Sequence, residues 1–149
     1  MAQAYNKFNA FQTSIGLGEH QLNTDTLNVY LSAGTPTAAM AAKTELAEIA
    51  TGAGYTGPVD VVNTYAAGTG TEAATGILAC TSSIAWTAAT AGTFTPFQHV
   101  VLYNDNMATP GDSVADGLIG YWSDTAVVSP SPSDTYTVTF ANSRIFTLA

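Results

Sequence analysis

Between Pro96 and Asp105 the chain reads PFQHVVLYND, and from Asp116 to Asp124 it reads DGLIGYWSD. Both runs are aromatic and β-branched, and both are bounded by Pro, Gly or Asp, which is how strands read. Downstream, TYTVTF (Thr135–Phe140) alternates Tyr136, Val138 and Phe140 with threonine, and SRIFTLA (Ser143–Ala149) is an apolar stretch better paired into a sheet than frayed. Upstream, TLNVYLS (Thr26–Ser32) sets Leu27, Val29 and Leu31 against Asn28, Tyr30 and Ser32, the period-two pattern of a half-buried strand. From Gly57 to Ala91 the apolar bursts PVDVV, ILAC and SIAW are separated by the Gly-rich AAGTGTEAATG, predicting strands joined by exposed loops.

These runs predict about seven or eight strands with no alternation of strand and helix. The expected fold is mainly β, an antiparallel sandwich or small barrel with one or two short peripheral α-helices. The first helix is read in YNKFNAFQTSI, where Tyr5, Phe8, Phe11, Gln12 and Ile15 recur at spacings of three and four before Gly16 and Gly18 end it. That stripe is the face that docks on the core, a partner-binding groove helix being the sharper alternative. A second helix or helical turn is expected in AAMAAKTELAEIATGAGY (Ala38–Tyr55), with Leu46 and Ile49 three apart and Gly52 and Gly54 as its stop. The 149 residues make one β-rich domain, residues 1–18 forming an N-terminal helical arm. SPSPSD (Ser129–Asp134) reads as an inter-strand loop, and NDNMATPGDSVADG (Asn104–Gly117) as a projecting one.

Composition narrows the function classes. Hydrophobic residues make up 46% of the chain but charged ones only 9%, so threonine, alanine, serine, glycine and asparagine must cover the outside. Three cations, Lys7, Lys43 and Arg144, stand against 11 acids for a net charge of −8. A chain with that balance is repelled by a polyanion, so neither nucleic acid nor an anionic membrane is an expected partner. MAQAYNKFNAFQTSIGLGEH has one lysine and no apolar run, unlike a secretory leader, and synthesis in a cytoplasm is expected.

Chemistry is mostly declined. Asp105, Asp112, Asp116 and Asp124 are oxygen-rich enough to suggest calcium, but their spacing is not that of an EF-hand, and they read as solvated loop carboxylates. His20, His99 and Cys80 have no paired spacing, so no metal and no cofactor are expected. His99 reads as a hydrogen-bonded histidine on the solvated face of a strand, His20 as a surface residue and Cys80 as a buried, inert thiol. Glu45 and Glu48 lie one helical turn apart on a wet face, and G-x-S-x-G is absent, so no enzyme is expected. Trp86 and Trp122 sit in apolar runs and read as core ahead of sugar-stacking platforms.

The order of YNKFNAF, GEHQLNTDTLNVYLSAGTPTA, TELAEIATGAGYTG, FTPFQHVVLYND, GLIGYW and FTLA resembles a family of small virion structural proteins of tailed bacteriophages. The resemblance implies capsid decoration, that is, a cement protein on the outer shell that ties neighbouring major capsid subunits together. It further implies the major capsid protein as partner, a homotrimer at local three-fold axes, and residence on the virion surface. The contact regions expected on this reading are Tyr5, Phe8 and Phe11 at the N-terminus and the loop opening with Asn104, Asp105, Asn106 and Met107. Removing residues 1–15 is then expected to leave the fold and abolish shell binding. The alternative is a tail, tail-tube or fibre component, the fibre form binding a glycan.

Overall fold

The computed structural model describes residues 4–68, 75–80, 83–107 and 115–148. In chain order its elements are β1 (Asn6–Lys7), α1 (Asn9–Gly16), β2 (Leu27–Ser32), β3 (Val59–Asp60), β4 (Asn63–Ala67), β5 (Gly76–Cys80), β6 (Ile84–Thr87), β7 (Phe97–Asn104), β8 (Gly117–Val128), β9 (Thr135–Val138) and β10 (Arg144–Leu148). All pairings are antiparallel, in sheets ordered β1-β8-β7-β2-β3, β10-β5-β4 and β6-β9. The fold is mainly β and sandwich-like, with a single α-helix among the described residues. No helix among the described residues is long and apolar enough to cross a membrane.

One face of the five-stranded sheet meets the two smaller sheets. Val29 lies opposite Leu102 and Leu31 opposite Val100, and these side chains join Leu78, Cys80, Ile84, Trp86, Ile145 and Phe146 in the main core. The second face is covered as well, which the period-two reading of β2 does not anticipate. Tyr30, Val101, Tyr103 and Leu118 form a smaller cluster with Phe8 and Leu46, and Tyr30 and Ser32 are fully buried. The half-buried strand is in fact buried on both sides.

The cover on the second face comes from the segment expected to be helical. Among residues 38–55 the only helical turn is a 3-10 turn over Lys43–Glu45. In a helix Leu46 and Ile49 would share a face, whereas an extended chain points residues an odd number apart to opposite sides. Leu46 belongs to the smaller cluster and Ile49 to the main core. The segment wraps the end of β2, where Ile49 N–H donates to Leu31 O at 2.9 Å, Ser32 bridges Glu48, and Tyr30 Oη donates to Leu46 O at 2.8 Å. Tertiary hydrogen bonds to an otherwise naked strand end override a helix propensity worth only tenths of a kcal/mol per residue.

The N-terminal stripe divides similarly. The helix begins only at Asn9, with Phe8 as its uncapped N-terminal flank, and buries Phe11. Tyr5 and Phe8 precede it in extended chain, where β1 pairs Asn6 with Tyr121 and Lys7 with Gly120 at the edge of β8. Gly120 is needed there, because a Cβ would collide with the Tyr5 ring.

The end of β8 departs from a regular ladder. Phe97 pairs with Val128 but His99 with Ser123, so residues 124–127 bulge outward opposite Gln98. The Gln98 amide donates to Asp124 O at 3.1 Å across the bulge, and Tyr136 Oη of β9 donates to Asp124 Oδ2 at 2.7 Å. The bulge thereby stitches the large sheet to the β6-β9 pair.

Because Phe8 and Phe11 each belong to a core cluster, deleting residues 1–15 is expected to abolish cooperative unfolding, contrary to the expectation of an expendable arm. Phe11→Ala alone should cost about 3 to 5 kcal/mol in a denaturant titration.

Candidate functional site

The contact residues expected from sequence do not form one exposed patch. Phe8 and Phe11 are 0% and 1% exposed, Phe8 against Tyr121 and Phe11 between Phe146 and His20. Tyr5 is half-buried, its ring 5.1 Å from Phe146 and 5.5 Å from Trp122, and its hydroxyl donates to Ile119 O at 3.3 Å. Asn104 and Met107 are buried, leaving Asp105 and Asn106 exposed where the chain leaves β7. Of the projecting loop, residues 108–114 lie outside the described residues, Asp112 among them.

Asn104 organises this exit from the sheet. The backbone N–H of Asn106 can only donate, and it reaches Asn104 Oδ1 at 2.9 Å, which fixes the orientation of the amide. Its nitrogen then donates to Asp25 Oδ2 at 2.6 Å and lies 3.1 Å from His20 Nδ1. His20 must accept at Nδ1 and so carries its proton on Nε2. Asp25 also accepts from Gln21 N–H, and Asn106 Oδ1 accepts from Thr26 N–H at 2.6 Å. His20 is buried here, not on the surface, stacked edge-on against Phe11 with Gly117 and Met107 beside it. The ND spacing in YNDN carries a trace of this turn, but nothing in the sequence links residue 20 to residue 104.

A second polar group sits over the outer face. Lys43 Nζ lies 3.1 Å from Glu48 Oε2 and stands over the rings of Tyr103 at 4.7 Å and Tyr30 at 5.4 Å. Burial works against its charge, but the Glu48 carboxylate and the Tyr103 hydroxyl outweigh it and hold the ammonium above its ordinary range. Glu48 Oε1 accepts from Tyr55 Oη at 2.9 Å, so Glu48 is a structural acceptor, whereas Glu45 caps the backbone N–H groups of Ala41 and Ala42. The two acids do not act as a pair.

His99 is hydrogen-bonded as expected, its Nδ1 2.8 Å from Ser123 Oγ, but the face it occupies is covered and it is 7% exposed. Burial holds its pKa below the ordinary 6.5, with Asp124 pulling the other way. Trp86 is core, its indole N–H donating to Gly57 O at 3.3 Å, Trp122 packs against Tyr5 and Phe140, and Cys80 is buried. No cluster of three or more His, Cys, Asp or Glu suited to a metal ion occurs among the described residues.

What the surface presents is therefore sparsely charged and short-chained, with Thr35, Thr37, Ala39, Thr51, Thr64 and Thr125 among its exposed residues. The exposed strand β4 was not anticipated, because NTYAA has neither alternation nor β-branched density to mark it. Comparison of the chain with protein-family models, with curated proteins and with solved structures finds no match.

Two outcomes are expected. Asn104→Leu removes the amide that the Asn106 N–H, His20 and Asp25 share and should lower stability by on the order of 3 kcal/mol, read as a shifted denaturation midpoint. For His99 the unfolded state takes up a proton first as pH falls through 6.5, so the folded state loses stability there. Melting of the wild type should therefore drop between about pH 7 and pH 5 by more than that of His99→Gln; parallel profiles would remove His99 as a source of the acid sensitivity.

Proposed function

We propose that this chain is a non-enzymatic decoration protein of a tailed-bacteriophage capsid, binding the outer shell and stabilising contacts between major capsid subunits. The observation that supports the reading is the division of labour among its side chains. The aromatic rings other than Tyr65 pack into or against two internal clusters, and the outside is left largely to threonine, alanine and other short residues. Such a surface loses little rotamer entropy when covered, which suits broad, shallow contacts repeated many times over a shell. Its net charge of −8 keeps it away from the packaged genome and favours an outward position.

The buried positions of Phe8, Phe11, Asn104 and Met107 shift the proposed docking surface to groups that remain outside, Asp105 and Asn106 at the exit of β7 among them. The three-fold grouping belongs to the shell's local symmetry axes on this reading. Of the platforms a glycan-binding alternative could use, Trp86 and Trp122 are both packed against core aromatics.

Quantitative mass spectrometry of purified particles tests the proposal. The expected result is roughly one copy of this chain for each major shell subunit. A handful of copies per particle would assign it to the tail instead, and absence from particles would overturn the virion reading altogether.

A further inference from the structure

We infer that β4 is a self-association edge, at which two copies of this chain pair antiparallel across a two-fold axis through Tyr65. The inference stands apart from the proposed function and holds whether or not the chain binds a shell.

The argument begins with the hairpin ladder. Gly68 N–H donates to Thr75 O at 2.8 Å, and the same register pairs Ala67 with Gly76, Ala66 with Ile77, Tyr65 with Leu78, Thr64 with Ala79 and Asn63 with Cys80. In an antiparallel pair the backbone groups of successive residues point alternately toward and away from the neighbour. Since Gly68 points inward, Ala66 and Thr64 do too, and the N–H and C=O groups of Ala67, Tyr65 and Asn63 point away from β5. β4 is the last strand of its sheet, and these outward groups have no backbone partner among the described residues.

β4 is the longest regular edge. β1 and β3 have two residues each, β6 and β9 have four, β8 bulges at residues 124–127, and β10 carries Arg144 and a register shift beside it. β4 has five residues in regular register with no charge, proline or bulge, and Thr64, Tyr65, Ala66 and Ala67 are all exposed. An undefended edge of this kind is a template for another strand.

Two features select a second copy as the occupant. The three outward residues are spaced symmetrically about Tyr65, so a two-fold axis sets Tyr65 opposite the partner's Tyr65 and Asn63 opposite the partner's Ala67. Every outward group is then satisfied with none left over, giving an isologous, closed contact and one six-stranded sheet from two β10-β5-β4 units. Charge points the same way. Copies bearing −8 repel one another, and residues 61–71 hold no charged side chain, so two copies can meet along this edge with no like charges in the paired strands. A basic partner would gain nothing from charge here. The Tyr65 ring lies over Gly76 of its own hairpin, on the sheet face that the two-fold axis makes it share with its symmetry mate.

Sedimentation velocity on the full chain should give a dimer, twice the 15.3 kDa of one chain. Tyr65→Lys sets two ammonium groups face to face at the axis, and Ala67→Pro deletes an outward N–H while leaving the bonds to β5 intact. Both variants are expected to sediment as monomers with the wild-type circular dichroism spectrum, and to lose the rise of melting midpoint with concentration that a dimeric wild type shows. Independently of any variant, amide exchange at Tyr65 and Ala67 should slow as the wild-type concentration rises. A monomer or a trimer for the wild type, a mass unmoved by either substitution, or exchange at these amides that ignores concentration overturns the inference.

Discussion

An apolar strand pair at the centre of an antiparallel sheet needs cover on both faces, and most of this molecule is the answer to that need. β2 and β7 bury Leu27, Val29, Leu31, Val100 and Leu102 on one side and Tyr30, Val101 and Tyr103 on the other. The first side takes the two smaller sheets; the second takes no regular element at all, only Phe8, Leu46, Met40 and the chain around them. A loop laid over a sheet must still satisfy its own backbone. It does so by bonding to strand ends, as Ile49 does to Leu31, Leu118 to Ala41 and Asn9 to Ala38.

Shortage of cations shapes the rest. With three lysines and arginines for 11 acids, carboxylates cannot rely on ion pairs, and the structure gives them neutral donors instead. Asp60 accepts from Val62 N–H, Asp134 from Ser131 N–H, Glu45 from two backbone amides, Asp124 from a tyrosine and Asp25 from Asn104. The acids thereby work as turn-formers and caps, which bind a carboxylate through short-range geometry that salt screens little. Lys43 does form an ion pair, held by Glu48 and two aromatic rings at the junction of loop and sheet.

Legibility in the sequence follows from where the decisive contacts lie. β7, β8 and β10 are read correctly from apolar, aromatic and β-branched runs and β9 from its alternation, because these signals are local and strong. The burial of Tyr30 and Ser32, the extended path of residues 38–55 and the interior position of His20 are not readable, because each depends on a partner many residues away: Leu46 and Ala47, Leu31, and Asn104. For the candidate contact surface the aromatic stripe of the N-terminus is real, yet spacing alone does not say whether Phe8 and Phe11 face a partner or the chain's own core. β4 escapes notice for the opposite reason: an edge that faces water on both sides needs no hydrophobic period.

The docking of the N-terminus on β8 also orders events in time. Tyr5 bonds to Ile119, 114 residues further on, and β1 has no ladder until Gly120 and Tyr121 exist. During synthesis this segment is made 114 residues before its hydrogen-bond partner and so must wait for its place. Contacts of such long sequence separation slow folding, because the loop between them must close before any bond rewards it. Until then Phe8 and Phe11 remain exposed to whatever else the nascent chain meets, and the interval before β8 emerges is when this protein is most open to capture by chaperones or by its neighbours.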